Sequence, residues 1–121
     1  TDALARTLAR MQPGIALDVG GRGHRDKNSH NDLMVKRGYP AAAAEIQELY
    51  LAGRKQEAIA AVPDDYCDEG ALIGPPQRIR ERYAEWERSG ATGLILQCRQ
   101  PQAMELMAEI TGSLVRAREA R

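Results

Sequence analysis

The sequence predicts an α/β fold in which strands alternate with helices. Two apolar runs predict the strands: residues 13–20, rich in aliphatic side chains and bounded by glycine, and residues 91–98, which carry few polar side chains. Helical periodicity in the segments around them supplies the third observation. Strands joined through helices form parallel βαβ units. Because two strands do not make a stable parallel sheet, we expect further strands from outside these residues or from another chain.

The helices are predicted from apolar spacing and from proline and glycine punctuation. Residues 2–11 form a short helix that the following Gln-Pro-Gly ends, and residues 24–62 form helical pieces separated by Gly38 and Gly53. Residues 75–89 form a helix with one apolar stripe, and a final helix covers 101–118. The 121 residues are predicted to make a single partial domain, since the chain is too short for two comfortable ones.

Composition limits the classes of partner. Lys plus Arg and Asp plus Glu are both 17, so a formal net charge of zero disfavours nucleic acid and anionic membrane surfaces. The sequence has neither an apolar run of membrane-spanning length nor a signal-peptide pattern. Cys67 and Cys98 fit no metal or redox spacing, although a disulfide between them stays open. We therefore expect a cytoplasmic protein, and the amphipathic start at Thr1 hints at an upstream portion.

The polar stretch at residues 19–32, VGGRGHRDKNSHND, is the main candidate site. It has the composition of a phosphate site, in which glycines admit an anion to the backbone and basic side chains neutralise it. These residues are Gly20, Gly21, Gly23, Arg22, Arg25 and Lys27. The stretch matches neither the dinucleotide fingerprint nor a P-loop. A flexible connection at the end of a strand is the interpretation that the residues alone favour.

Metal and acid–base chemistry are weaker interpretations of the same stretch. His24 and His30 lie six residues apart, as do Asp26 and Asp32, and neither spacing is that of a zinc ligand set. No metal site is predicted. His24 could donate a proton near neutral pH, but an exposed loop histidine is the simpler interpretation.

Three further features favour structural roles. The acidic run DDYCDE at residues 64–69 lacks the pattern of a calcium-binding loop and is expected to be a solvated connector. Trp86, Met104 and Met107 lie at helical spacing, which usually indicates core packing. Cys98 has no identifiable base and is interpreted as a small apolar residue.

Three motifs in a fixed order give the sequence a family resemblance. GGRG with DKN and ND is followed by IQELYLAGRKQEAIAAVP and then by LIGPPQRIRER. In this order, over residues 13–98, the chain resembles the C-terminal third of the luciferase-like monooxygenase superfamily. Within it, the likeness is strongest to oxidoreductases that use the deazaflavin coenzyme F-420.

The resemblance implies the C-terminal portion of a (β/α)8 TIM barrel. Residues 13–20 would be strand seven, residues 21–70 an active-site flap with a helical insertion, and residues 91–98 strand eight. A whole barrel needs about 250 residues. The chain would therefore be a fragment of a longer enzyme, a subunit that pairs with a chain carrying the other strands in a homo- or hetero-oligomer, or a degenerate remnant.

The resemblance also implies a function. The chain would be part of an oxidoreductase or monooxygenase that uses F-420, or alternatively FMN, on a small-molecule substrate. Its positions expected to line the cofactor or substrate mouth are Gly20, Gly21, Arg22, His24 and Lys27. No catalytic residue carries over from the family, and an isolated chain of this length is expected to be inactive.

The sequence departs from the family pattern at three points. Ser29 and His30 follow the Lys-Asn pair where aromatic residues are usual, Asp18 occupies a usually aromatic position, and the chain contains no Phe. Fewer large apolar groups beside a flavin-type ring imply an altered substrate pocket. A non-catalytic subunit or remnant that scaffolds a partner barrel is therefore the alternative function.

Overall fold

The computed structural model describes residues 2–112 and is built from helices. The chain forms two compact units, Thr1–Ile73 and Gly74–Arg121. In chain order the helices of the first unit are α1 Asp2–Ala16, a π-helix Leu17–Gly21, α2 Ser29–Lys36, α3 Pro40–Leu51, α4 Lys55–Ala60 and α5 Asp64–Glu69. Those of the second unit are α6 Pro76–Arg88 and α7 Pro101–Ile110.

Proline begins and glycine ends several of these helices. α3, α6 and α7 each carry a proline at the first turn, where the missing N–H costs no intrahelical hydrogen bond. α3 ends in a Schellman motif: the Gly53 amide donates to the Tyr50 carbonyl at 3.1 Å, and the Arg54 amide to the Leu49 carbonyl at 2.9 Å. Gly53 has φ +81°, a left-handed conformation that suits glycine.

The predicted α/β fold class, with its portion of a TIM barrel, is wrong for this structure. No strand or sheet is found in residues 2–112, where one isolated β-bridge joins His24 and Lys27. Residues 13–20, predicted as strand seven, form the end of α1 and most of the π-helix. Backbone hydrogen bonds within a helix need no neighbouring strand, so this run satisfies its own polar groups locally.

The expected stop at Gln-Pro-Gly is also wrong, because α1 continues through Pro13 to Ala16. A proline inside a helix removes one backbone hydrogen bond. Burial beyond it offsets that loss: Ala16 and Val19 are 0% and 1% exposed. Aliphatic residues that would fill a sheet interior are buried here against other helices.

Residues 91–98, predicted as strand eight, run between α6 and α7 without regular structure and without a strand partner in the part of the chain described. Their apolar side chains are open to solvent, with Leu94 38%, Ile95 96% and Leu96 46% exposed. A parallel strand is covered on both faces. Nothing in the second unit supplies that cover within the described residues.

The core of the first unit lies between α1, the π-helix and helices α2 to α5. The largest fully buried side chains among the described residues lie in it: Val19, Met34, Ile46 and Cys67. The run at residues 64–69, expected to be a solvated connector, is helix α5, whose Tyr66 and Cys67 are buried. Gln12 of α1 donates to the Asp64 carboxylate at 3.0 Å and so holds the start of α5.

The second unit has a smaller set of buried side chains. Ile79 of α6 and Met107 of α7 are 9% and 6% exposed, whereas Met104 is 53% exposed. Arg80 and Glu109 form an ion pair at 3.1 Å between α6 and α7. Of the helix predicted for residues 101–118, residues 113–118 lie outside the described residues.

None of the helices in residues 2–112 has both the length and the apolar character that crossing a bilayer requires.

Candidate functional site

Gly20 and Gly21 allow the π-helix to pack directly on α3. A Cβ atom on Gly20 would lie 2.6 Å from the Tyr50 Cβ and 3.0 Å from the Ile46 carbonyl oxygen. A Cβ on Gly21 would overlap the Tyr50 ring. The missing side chains therefore serve this close helix packing, and Gly20 is buried beneath Tyr50.

The basic turn, residues 22–27, follows the two glycines and closes on itself. The Lys27 amide donates to the His24 carbonyl at 2.9 Å, and the Asp26 amide donates to His24 Nδ1 at 3.3 Å. Gly23 adopts φ +75°, and any Cβ there would overlap the Lys27 carbonyl. This conformation of the turn requires glycine at position 23.

Asn28 fixes the end of the basic turn. Its side chain is the one buried polar group found among the described residues, at 5% exposure. Its amide nitrogen donates to the carbonyls of Asp18 and Val19, both at 2.9 Å, and its oxygen accepts from the amides of His30 and Asn31 at 3.0 and 3.1 Å. One side chain therefore caps α2 and ties it to the π-helix.

Asn31 adds a second tie at the same place. Its side-chain amide donates to the Val19 carbonyl at 3.2 Å and to the Ala43 carbonyl at 2.9 Å. Asn28 and Asn31 were absent from the predicted site residues. The preference of asparagine for the position before a helix could have identified Asn28, since Ser29 begins α2.

The charged side chains of the basic turn differ in their partners. Arg22 pairs with Asp18 at 2.6 Å, and His24 Nδ1 lies 3.7 Å from the Asp26 carboxylate. Arg25 and Lys27 are exposed and have no ion pair within the described part of the chain. Gln47 of α3 donates to the Arg25 carbonyl at 3.1 Å and so fixes the backbone beneath the free cations.

Tyr50 of α3 and Lys55 at the start of α4 lie next to each other. The Lys55 ammonium lies 5.6 Å from the centroid of the Tyr50 ring. The neighbouring Arg54 and Glu57 bind each other through two hydrogen bonds of 2.5 Å. The hydrogen bond to Glu57 raises the pKa of Arg54, and the hydrogen bond from Arg54 lowers the pKa of Glu57.

A second polar cluster joins the end of α2 to α5. The Tyr39 hydroxyl donates to Glu69 at 2.6 Å, Arg37 pairs with Glu69 at 3.2 Å, and the Arg37 guanidinium lies 4.0 Å from the centroid of the Tyr66 ring. The hydrogen bond to Glu69, followed by burial, raises the pKa of Tyr39 to about 12. These contacts cross-link helices and bring no reactive pair together.

The two cysteines are free thiols in different surroundings. Cys67 is 1% exposed, and burial, followed by the charge of Asp64, raises its pKa. Cys98 is partly exposed, and its Sγ accepts from the Gln100 amide at 3.4 Å. A raised pKa leaves Cys67 as an unreactive thiol. Residues 2–112 contain no group of three or more His, Cys, Asp or Glu side chains arranged to hold a metal ion.

Comparison with known proteins gives two matches to the chain. The sequence profile of the luciferase-like monooxygenases matches residues 1–93. A protein of Mycobacterium tuberculosis, whose name assigns it to the coenzyme F-420-dependent oxidoreductases, is 33% identical over 96 residues, which is 79% of this chain. The chain spans 28% of the length of that relative. No solved structure gives a significant match.

Proposed function

Because this chain belongs to the luciferase-like monooxygenase family, we propose that it is one part of an F-420-dependent oxidoreductase and contributes the basic turn to the coenzyme site. The name of the M. tuberculosis relative supports F-420 as the coenzyme. This chain spans only 28% of the length of that relative, which supports a contribution from further protein. The same reading frame or a second chain would supply it.

The free cations of the basic turn carry this proposal. Arg25 and Lys27 extend from a turn whose base Asn28 and Gln47 hold in place. A backbone that is already held in place lowers the cost of ordering the turn when an anionic ligand binds to its side chains. Arg22, held by Asp18, and the exposed His24 lie beside them as secondary contacts. Gly20 and Gly21 act from beneath, by allowing the turn to sit on α3.

This arrangement fits the anionic part of a flavin-type coenzyme. Bound F-420 supplies a deazaflavin ring that carries a hydride to or from an organic substrate. The residues of this chain bind and orient the anion: Arg25 and Lys27 donate charge-assisted hydrogen bonds, and the closed turn keeps both in register. FMN also carries a phosphate, so the same cations fit the alternative coenzyme.

Coenzyme titration tests the proposal on the protein expressed from its complete reading frame. F-420 and FMN are titrated separately, and binding is followed by the fluorescence of each coenzyme. We expect F-420 to bind, and the Arg25→Ala/Lys27→Ala double variant to bind it roughly tenfold more weakly, a loss of about 1.4 kcal/mol. Arg22→Ala should have a smaller effect, because its guanidinium is already neutralised by Asp18.

A charge-matched control separates local from general effects. Arg10→Ala/Lys36→Ala also removes two exposed cations, from α1 and α2, and should leave F-420 binding unchanged. Equal binding by wild type and the Arg25/Lys27 variant would contradict the role of the basic turn. Absence of F-420 binding by the complete protein would overturn the proposed coenzyme, and binding of FMN in its place would support the alternative.

A second candidate function is a non-catalytic subunit that associates with a partner protein. The exposed apolar side chains of Leu94, Ile95 and Leu96 favour it, since such groups gain free energy when another surface covers them. The coding sequence upstream of Thr1 separates the two functions. A long in-frame extension favours one enzyme chain, whereas a start close to Thr1, no coenzyme binding and a stable complex with a second protein favour the subunit.

A further inference from the structure

The Tyr50 ring packs against the core and the glycine pair, and the Lys55 ammonium lies 5.6 Å from the centroid of that ring. We propose that they form a phosphate-binding subsite next to the basic turn, for a small molecule that carries phosphate. The subsite rests on the proposed function only in naming the coenzyme as the physiological source of that phosphate. Its evidence is the geometry of α3, the π-helix and the start of α4.

The Tyr50 ring is held in place while its hydroxyl stays available. The ring lies against the backbone of Gly20 and Gly21, which no side chain separates from it. Its hydroxyl makes no hydrogen bond within residues 2–112, and the residue is partly exposed. A phenol is a neutral donor that suits a phosphate oxygen. The ring is therefore a fixed support that presents one free donor.

Lys55 supplies a cation that its neighbours do not neutralise. Its ammonium lies 5.6 Å from the Tyr50 ring centroid and forms no ion pair with any described residue. Glu57 is the nearest carboxylate along the chain, and Arg54 holds both of its oxygens at 2.5 Å. Because Glu57 is bound by Arg54, it does not pair with Lys55, and the Lys55 ammonium stays available for a phosphate.

The subsite continues into the basic turn along one face of α3. Gln47 and Tyr50 are i and i+3 on this helix, about 4.5 Å apart along its axis, and Gln47 holds the carbonyl of Arg25. The backbone of Arg25 therefore lies at the Gln47 end of this face, and the Lys55 ammonium lies near Tyr50. The acidic residues of α3 lie elsewhere: Glu45 and Glu48 are turned roughly 140° to 160° away from Tyr50 around the helix.

Isothermal titration of inorganic pyrophosphate into the complete protein at low ionic strength tests the subsite. Lys55→Gln removes the cation, and Tyr50→Phe removes the hydroxyl while it keeps the ring on the glycines. We expect wild type to bind, Lys55→Gln to bind about five- to tenfold more weakly, and Tyr50→Phe about threefold more weakly. Lys36→Gln, an equal charge change on the exposed side of α2, is the control and should match wild type.

Two results would overturn the subsite. One is the absence of pyrophosphate binding by wild type. The other is an equal loss in Lys55→Gln and Lys36→Gln, which would indicate general charge attraction. If Tyr50→Phe binds like wild type while Lys55→Gln binds more weakly, Lys55 binds the phosphate and the Tyr50 hydroxyl does not. Circular dichroism of each variant identifies any that fails to fold.

A parallel F-420 titration with the same variants separates this inference from the proposed function. Weaker F-420 binding by Lys55→Gln, with competition by pyrophosphate, supports both. F-420 binding that depends on Arg25 and Lys27 but not on Lys55, with pyrophosphate binding also independent of Lys55, overturns the subsite alone. Pyrophosphate binding that depends on Lys55 in a protein that does not bind F-420 supports the subsite and overturns the proposed coenzyme.

Discussion

Two apolar runs of similar composition adopt opposite states in this protein. Residues 13–20 are helical and bury Ala16 and Val19, whereas residues 91–98 are irregular and leave Ile95 96% exposed. The first run has a surface to pack on, because α3 presents Tyr50 and Ile46 to the glycine pair. The difference shows that the partner surface, rather than the apolar composition, decides whether such a run is buried.

The largest expected effect comes from breaking the packing of the first run. Gly20→Val would place a branched side chain against the Tyr50 Cβ and the Ile46 carbonyl, at positions 2.6 and 3.0 Å from its Cβ. We expect a loss of about 3 kcal/mol in the free energy of unfolding. Urea unfolding followed by circular dichroism measures it.

Gly14→Ala is the matched control for that substitution. A Cβ at Gly14 meets nothing within 4 Å, and the residue lies in the exposed part of α1. Alanine should stabilise the helix by about 0.5–1 kcal/mol. A similar loss in both variants would indicate that glycine at position 20 does not serve the contact with Tyr50.

The next effect comes from the tie between the π-helix and α2. Asn28→Ala removes two donated and two accepted hydrogen bonds and leaves the Val19 carbonyl with the bond from Asn31, so we expect a loss of about 2 kcal/mol. The amides of His30 and Asn31 should exchange faster with solvent deuterium. Unchanged exchange at these two amides would show that another group caps α2.

The helices were predicted better than the strands for a physical reason. Proline and glycine act locally, so Pro40, Gly53 and Pro76 mark helix ends whatever lies around them. A β-strand depends on neighbouring strands, which often lie far away in sequence. The prediction of strands at residues 13–20 and 91–98 assumed such neighbouring strands, and residues 2–112 do not provide them.

The candidate site was predicted in part. The family motif directed attention to Gly20, Arg22 and Lys27, yet the burial of Gly20 under Tyr50 depends on a contact across thirty positions of sequence. No local pattern carries that information. The role of Asn28 could have been predicted from its position before a helix. The unpaired charge of Lys55 could not, because it follows from the Arg54–Glu57 pair in the folded structure.

A pH titration of Tyr39 tests the contacts of the first unit, in which the buried run lies. Its pKa is raised from 10.0 to about 12 by the hydrogen bond to Glu69, so the folded state favours the neutral phenol. The resulting stability is complete below pH 10 and is lost as pH rises from about 10 to 12. The absorbance of tyrosinate should show a late-ionising tyrosine. The Glu69→Gln substitution should return the pKa of Tyr39 toward 10.

Alkaline loss of helix without the late tyrosine would indicate that another group drives it. A late tyrosine that persists in Glu69→Gln would contradict the assigned hydrogen bond.

The smallest effect on stability is expected in the exposed run. Ile95→Lys replaces a side chain that contacts solvent over 96% of its surface, so the free energy of unfolding should change by less than about 0.5 kcal/mol. Val19→Lys is the counterpart in the first run, where the side chain is 1% exposed, and should prevent stable folding of that unit. If Ile95→Lys instead costs more than 1 kcal/mol in the complete protein, or dissociates an oligomer in sedimentation, the run is covered there. The contrast between the two runs would then reflect the absence of a covering surface from residues 2–112, and the second candidate function would gain support only if the substitution dissociated a second protein.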